Sequence, residues 1–553
     1  MALSFAFFGR HLLPDLGAAY VGGGADPGAI MWFLKWWPWA IARGENPFVT
    51  DLVWAPSGTN LAGTTAIPAL ALLAAPLTVG LGSIVSYNLL YLLAPALSAW
   101  AMFVLVRYLT GSGWAALASG YLYGFSSYVL SKMSGHLNLA MVFVPPLVVL
   151  LVVRLIEGKG RTRAFIALLG TALVLQFLIS TEVFFTMTLF GGLALVVAFV
   201  LMREERRRLL TVSRAIVAAY VAAGVVLSPY LYYVFRGLSQ PPIYDFYSTL
   251  FVTDPLNFFV PTQLTQFGSS RFAGVTTRFT GNLSEQSAYL GLPLIAIVAW
   301  YGWRSWRTRG GKVLLAMFAL LVITTLGPKL TILGRPGLRL PWTPLIHVPL
   351  AKYALPARFA LYIALVAAIM AGFWLADRSV RWWGKALLVP LAIVSLLPAW
   401  PARYWVTPAT SPPFFAAGLY RDHIRQGDTV VVIPYGDRGL SMLWQVQADF
   451  WFRMAGGYVT VIPPKEFTAW PIVRTFYTSE LGPDAEQELR AFLGSHAVRQ
   501  ILVADGAGDL WDALFRTIDS RPRYSGGVTI YRVPDAVLER YRGATPSGVK
   551  PSP

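Results

Sequence analysis

The chain contains no cysteine, few charges and few histidines. Without thiols, disulfide frameworks, thiolate metal sites, iron–sulfur clusters and cysteine nucleophiles are excluded. Only 13% of its 553 residues are charged and 5 are histidine, whereas 56% are hydrophobic. Soluble domains run about 45–50% apolar and about 25% charged, so this is not the balance of a soluble enzyme. What is present in abundance is aromatic and aliphatic: 20 Trp, 25 Tyr and 33 Phe, with a mean hydropathy of +0.56. Long apolar runs and this aromatic load indicate many membrane spans.

A net charge of +18 invites a nucleic-acid reading, but its placement argues otherwise. Residues 401–553 carry 16 Lys/Arg against 15 Asp/Glu, while residues 1–400 carry 29 against 12. The excess sits between the apolar segments, as the positive-inside rule requires. Nucleic acid is therefore not an expected partner.

Spans of about 17–25 residues are expected near 84–106, 114–132, 139–156, 164–180, 183–202, 215–235, 288–306, 312–327, 356–376 and 386–400. Basic loops separate them: Arg154/Lys159/Arg161/Arg163, Arg203/Arg206/Arg207/Arg208/Arg214, Arg304/Arg307/Arg309/Lys312 and Arg378/Arg381/Lys385. Successive basic loops are an even number of spans apart, so all fit on the cytoplasmic side. The same parity puts residues before 84, the turns at 133–138 and 181–182, the loops 236–287 and 328–355, and everything after 400 outside. Residues 65–80, interrupted by Pro68 and Pro76, read as an interfacial or re-entrant piece. Met1–Phe8 is too short for a span and has no cleavage site; it reads as a shortened first helix, with the true start upstream. The expected fold is an α-helical polytopic membrane protein of about eleven spans. Its membrane domain covers 1–400, with a first external loop at 15–83.

Beyond Pro401 the composition changes, and Pro408, Pro412 and Pro413 make a linker. Strand-like runs at Thr429–Ile433, Gln500–Ala504 and Val528–Val533 alternate with helix-like stretches near Leu440–Met454 and Ala485–Leu493. This predicts a small extracytoplasmic α/β domain over 401–553. It carries no phosphate loop, no G-x-G-x-x-G and no metal cluster, which leaves a structural or acceptor-binding role.

In so apolar a chain, polar groups at span ends need a reason. Asp26, in Gly24-Ala25-Asp26-Pro27-Gly28, precedes Trp32, Phe33, Leu34, Trp36, Trp37 and Trp39. Those residues predict an amphipathic helix lying at the interface, which Asp26 alone would merely cap. Asp51 and Asn60 follow in the same loop. His136 and Asn138 project from the turn Gly135-His136-Leu137-Asn138, where a lone histidine is more often structural than catalytic. Glu182, in Ser180-Thr181-Glu182, occupies a turn too short to stand in solvent, which favours a functional role. Glu285 and Tyr289 precede a span, and Lys352 and Arg358 sit at the mouth of another. Interfacial cations ordinarily snorkel, but external positive charge goes against the topology rule and makes a phosphate partner worth proposing. All these residues fall on the outer side at one membrane level, so Asp26, Glu182 and Arg358 are expected to line one external cavity.

With these features the chain resembles the GT-C superfamily of membrane glycosyltransferases, which includes protein O-mannosyltransferases, the aminoarabinose transferase of lipid A and the catalytic subunit of oligosaccharyltransferase. The likeness rests on an acidic residue in the first external loop, Asp26, on interfacial helices and a many-span body, and on the external carboxyl-terminal domain. Asp26-Pro27…Trp32…Trp36, Gly135-His136-Leu137-Asn138, Ser180-Thr181-Glu182 and Tyr289-Leu290-Gly291 are also similar to bacterial multi-span proteins described as glycosyltransferases or YfhO-like membrane proteins.

The resemblance implies a sugar donor on polyprenyl phosphate, with membrane lipids around it and a glycan, lipid or protein acceptor. It makes Asp26 the general base, and Arg358 or Lys352 the stabiliser of the leaving phosphate. Glu182 and His136 would bind acceptor, tune Asp26 or share a divalent metal with it; some relatives need a metal and others do not. Single in-line displacement inverts the anomeric carbon. The implied setting is a bacterial cytoplasmic (inner) membrane with the active face outward. Two alternatives stay open: a transporter or flippase of a lipid-linked sugar or other amphiphile, and a non-catalytic assembly protein. The spans are apolar between their ends and show no repeat, which is not the pattern of a transporter.

Overall fold

The structure, a computed structural model, describes residues 1–237, 244–268, 270–348, 354–460 and 462–546. The chain divides into two compact units, each assembled from non-contiguous stretches.

The first unit comprises Met1–Leu13, Leu89–Pro229 and Ser239–Val406 and is helical. A helix lies close to every expected span: Ser83–Thr110 and Arg206–Arg236 (both contributing residues to the two units), Val144–Ile156, Thr162–Ile179, Thr181–Leu201, Leu292–Ser305, Arg309–Thr325, Ala360–Ala376 and Trp382–Ser395. Among the described residues, six helical segments are long and apolar enough to cross a membrane. Side chains fix where helices begin. Ser180 Oγ accepts from the Val183 amide (3.3 Å) and Thr308 Oγ1 from Gly311 (3.1 Å).

Hydropathy missed the breaks. The expected span 114–132 is two helices, Gly113–Gly124 and Ser127–Lys132, because Ser126 caps a new start by accepting from Val129. Ala360–Ala376 is buried nearly all round and packs on Gly113–Gly124. It is the core of the unit, and its all-apolar sequence follows from that.

Three of the basic loops meet at one end of this bundle. Arg309 pairs with Glu204 at 2.5 Å, Arg304 lies 3.8 Å from Asp377, and Lys385 donates to the Asp377 carbonyl.

The second unit comprises Pro14–Asn88, Tyr230–Leu238 and Thr407–Pro553. Its sheet has the order 523–525, 528–532, 498–504, 429–433, 453–454. Strand Thr429–Ile433 is parallel to both neighbours, with Val431 opposite Ile501 and Val430 opposite Met454. Strand 528–532 then pairs antiparallel with 498–504. The run Val430–Ile433 is fully buried, as a strand covered on both faces must be. The helical reading of Leu440–Met454 is corrected: the helix ends at Gln447, and Arg453–Met454 is an edge strand. Residues 65–80 form two short helices, Pro68–Leu73 and Ala75–Leu81, with a break at Ala74.

Helix Asp26–Ala42 packs against Ser441–Gln447 and Pro68–Leu73. Trp32, Trp36 and Trp37 are buried in protein, and Trp32 donates to Gln445 Oε1 (2.7 Å), while the Gln445 amide Nε2 donates to the Leu52 and Phe452 carbonyls. A buried tryptophan ordinarily finds a partner for its N–H, and the run Pro27–Leu34 is buried all round, so the expected amphipathic face is absent.

Candidate functional site

In the second unit, Asp26 is the first residue of its helix rather than the cap. Ala25 occupies the cap position. The Asp26 carboxylate accepts from the Tyr458 hydroxyl at 2.6 Å. Tyr458 reaches it because Gly457, at φ +138°, runs so close to Val53 that a Cβ would lie 2.9 Å from the valine Cβ. A carboxylate at a helix start is stabilised by the helix dipole, and here it stands half-buried at the edge of an aromatic core.

The other candidates of this loop are engaged structurally. Asp51 pairs with Arg453 at 3.1 Å near the surface. Asn60 donates to the Tyr233 carbonyl (2.8 Å) and accepts from Ala62 (2.9 Å), tying the loop down.

The first unit gathers the remaining charges. Glu182 is the second residue of helix Thr181–Leu201, Arg358 lies in the 3-10 turn Pro356–Phe359, and Glu285 follows the turn at Asn282. The Arg358 guanidinium grips Glu285 through Nε (3.0 and 3.1 Å) and Nη2 (2.6 Å), and its Nη1 donates to Glu182. Lys132 ends helix Ser127–Lys132, fully buried, with Nζ 2.6 Å from Glu285 and 2.6 Å from the Ser284 carbonyl.

Two cations thus balance two carboxylates. Burial would raise the Glu285 carboxyl, but the Arg358 and Lys132 charges overcome it and hold Glu285 well below the usual carboxylate range. Arg358 is not a snorkelling anchor: its guanidinium is inside the protein. Each of its nitrogens is already engaged, so an incoming phosphate would have to compete with Glu182. That carboxylate is the more exposed of the two (25% against 3%), and its Oε1 is buried without a hydrogen-bond partner.

His136 precedes the short helix Leu137–Ala140, and Asn138 is half-buried in that helix. Tyr289 is buried, its hydroxyl bonded to Ser395. Gly291 beside it has φ +80°, and a Cβ there would lie 2.6 Å from Ser395 Oγ. Lys352 lies outside the described residues. Among those described, no three His, Asp or Glu side chains converge as metal ligands, and no step is assigned to a metal.

Two participants were missed. Lys132 carried the signal used for Arg358, a cation at the end of a span, but was absorbed into the span itself. Tyr458 lies 432 residues from Asp26 and has no local sequence signal.

A family described as a domain of unknown function (DUF6311) matches residues 1–397. The chain belongs to that family. No curated protein is similar in sequence. Among solved structures, the arabinofuranosyltransferase AftD from Mycobacteria aligns with a TM-score of 0.58 at 14% identity, covering 96% of this chain and 39% of the other. The apo oligosaccharyltransferase of Archaeoglobus fulgidus aligns at 0.55 and 12% identity, covering 99% and 71%. ArnT from Cupriavidus metallidurans, bound to undecaprenyl phosphate, aligns at 0.50 and 12%, covering 97% of each chain. The DUF6311 chain therefore has the GT-C fold, and it spans well under half the length of AftD.

Proposed function

We propose that this DUF6311 protein is a multi-pass membrane glycosyltransferase that moves a sugar from a polyprenyl-phosphate donor to an extracytoplasmic acceptor, with inversion. The observation that carries the reading is Asp26, a carboxylate held by Tyr458 at the start of the buried first-loop helix of a GT-C-fold chain. The structurally similar ArnT holds undecaprenyl phosphate, which supports a donor of that class here.

In this reading the acceptor hydroxyl oxygen bonds to the anomeric carbon while the bond from that carbon to the donor phosphate oxygen breaks. The hydroxyl proton passes to Asp26, and polyprenyl phosphate leaves as the anion. Such a base contributes about 10²–10⁴-fold. Arg358 meets the leaving phosphate by exchanging its Glu182 contact for phosphate oxygens. Glu285 and Lys132 keep the guanidinium in place throughout. His136, Asn138 and Tyr289 are assigned to acceptor or donor binding, along with Lys352.

The test is sugar transfer by purified protein from a panel of polyprenyl-phosphate sugars, wild type beside Asp26→Asn. Transfer by wild type and its loss in the near-isosteric variant is the expected result; equal transfer by both removes Asp26 as the base. A transporter reading draws on the fully buried Lys132–Glu285 pair. It would be favoured by flux of a lipid-linked sugar in proteoliposomes without any transfer.

A further inference from the structure

The loop that follows helix Arg309–Thr325 carries Lys329, Arg335, Arg339 and Lys352, and no carboxylate anywhere over residues 328–355. In the first unit its first part is a β-hairpin, strands Lys329–Ile332 and Arg335–Arg339, closed by the turn Leu333-Gly334. Both turn residues have positive φ, +50° and +76°, as a two-residue turn matched to the strand twist requires. A leucine is an uncommon occupant of that conformation. It is held there because its amide donates to Asp254 Oδ2 at 2.5 Å, and Asp254 is buried.

That anchor fixes the level of the hairpin. Thr253, beside Asp254, donates its amide to the carbonyl of Thr325 at 3.0 Å, and Thr325 is the last residue of the helix. The root of the hairpin leaves the same helix end at Pro328, whose carbonyl accepts from the Leu340 amide at 2.9 Å. Root and tip are both tied to one end of an expected span, so the hairpin stays at headgroup level.

The turn also packs on residue 278: a Cβ at Gly334 would lie 2.7 Å from the Arg278 carbonyl oxygen. A groove of about 730 Å³ is lined by Arg278 and Arg335 and by Leu330, Ile332 and Leu338. Both arginines are exposed, and so are Leu338 (75%) and Ile332 (44%). Among the described residues, none of Arg278, Lys329, Arg335 and Arg339 is in an ion pair.

Edge strands carry cations to discourage pairing, but the aliphatic side chains exposed beside these cations work against that purpose. A soluble polyanion would engage the guanidinium groups and leave Leu338 and Ile332 in water. A bilayer surface satisfies both, with phosphates for the cations and the acyl boundary for the aliphatics.

We propose that this hairpin docks on the adjoining leaflet and binds the phosphate of an anionic phospholipid between Arg278 and Arg335. None of its lining residues is assigned to sugar transfer, so the inference does not depend on the glycosyltransferase reading.

The test uses the full chain in nanodiscs, with Leu338→Cys as its sole thiol carrying a bimane. The quenchers are phosphatidylglycerol and phosphatidylcholine bearing a nitroxide high on one acyl chain, with iodide as the aqueous probe. Both lipids are expected to quench more than iodide, and phosphatidylglycerol at the lower mole fraction. Arg278→Gln with Arg335→Gln, both at exposed sites, is expected to weaken the phosphatidylglycerol response about thirtyfold, at about fivefold per cation. Arg278→Lys with Arg335→Lys is expected to keep most of it. Quenching by iodide alone, equal quenching by the two lipids, or a preference that survives the glutamine pair overturns the proposal. Displacement of phosphatidylglycerol by inorganic polyphosphate overturns it in favour of a soluble anion. Displacement by an equal mole fraction of undecaprenyl phosphate overturns it in favour of the donor lipid.

Discussion

Glu285 is the residue on which the first unit's charges depend. Removing one partner of a buried ion pair leaves an uncompensated charge, which costs about 3–5 kcal/mol. Glu285→Gln strands Lys132 and leaves Arg358 its Glu182 partner, whereas Glu285→Gln combined with Lys132→Met removes charges of both signs. The double variant is expected to be more stable than Glu285→Gln alone, as read by thermal unfolding in nanodiscs; additive losses would show that the two side chains are not coupled. In the second unit His496 is buried among Phe467, Trp470 and Phe492, its ring 4.2 Å from that of Phe492. Burial lowers its pKa, partly offset by the Phe492 carbonyl. The unfolded chain then binds a proton below about pH 6.5 that the folded chain refuses. His496 therefore subtracts stability as pH falls through that value and has no such effect above it. His496→Phe should narrow the difference between unfolding temperatures at pH 7.5 and 5.5, and an unchanged difference would remove His496 as its source. Of these two residues, neither role was legible in sequence. Glu285 was visible as an odd polar group, but its partners come from residues 132, 182 and 358, and no periodicity links them.

At the scale of elements, the helices were legible because about twenty apolar residues have few other stable forms in a bilayer. Their interruptions were not. Ser126 is a good cap, yet a hydropathy window averages it with the apolar residues on either side. The tryptophan-rich helix Asp26–Ala42 shows the opposite failure: its composition fits an interfacial belt as well as a core, and only its neighbours decide. Close packing also leaves a mark in the sequence, the Gly120-x-x-x-Gly124 spacing on helix Gly113–Gly124. A Cβ at Gly124 would lie 2.6 Å from the Ala99 Cβ and from the Pro95 carbonyl; at Gly120 it would lie 2.8 Å from the Ala99 carbonyl. Gly124→Ala is therefore expected to cost about 1–3 kcal/mol through overpacking. Gly191→Ala, with open space around it, should be neutral or stabilising by a few tenths. Equal effects at the two sites in thermal unfolding would show that helix propensity, not close approach, governs both.

For the molecule as a whole, residues 14–88 share a compact unit with residues 407–553, although composition separates them into different regions. What joins them are contacts such as Trp32 to Gln445 and the Trp54 amide to the Gly456 carbonyl. Sequence patterning carries no trace of pairs so far apart. The charge asymmetry, by contrast, is a property of the whole chain, and it makes a claim about orientation. The loops bearing Glu204, Arg309 and Asp377 meet at one end of the first unit, which the positive-inside rule assigns to the cytoplasm. Residues after 400 are assigned to the opposite side by parity. The absence of cysteine makes the test clean, since a single introduced thiol meets no background. Glu204→Cys and Glu539→Cys both place it at an exposed site. A membrane-impermeant maleimide added to intact cells is expected to label Glu539→Cys at once and Glu204→Cys only after permeabilisation. The reverse pattern would put Asp26 in the cytoplasm by the same parity, and an extracytoplasmic acceptor would then be impossible. Labelling of both in intact cells would mean that an even number of spans separates residues 204 and 539, and one of the spans read between 215 and 400 would then fall.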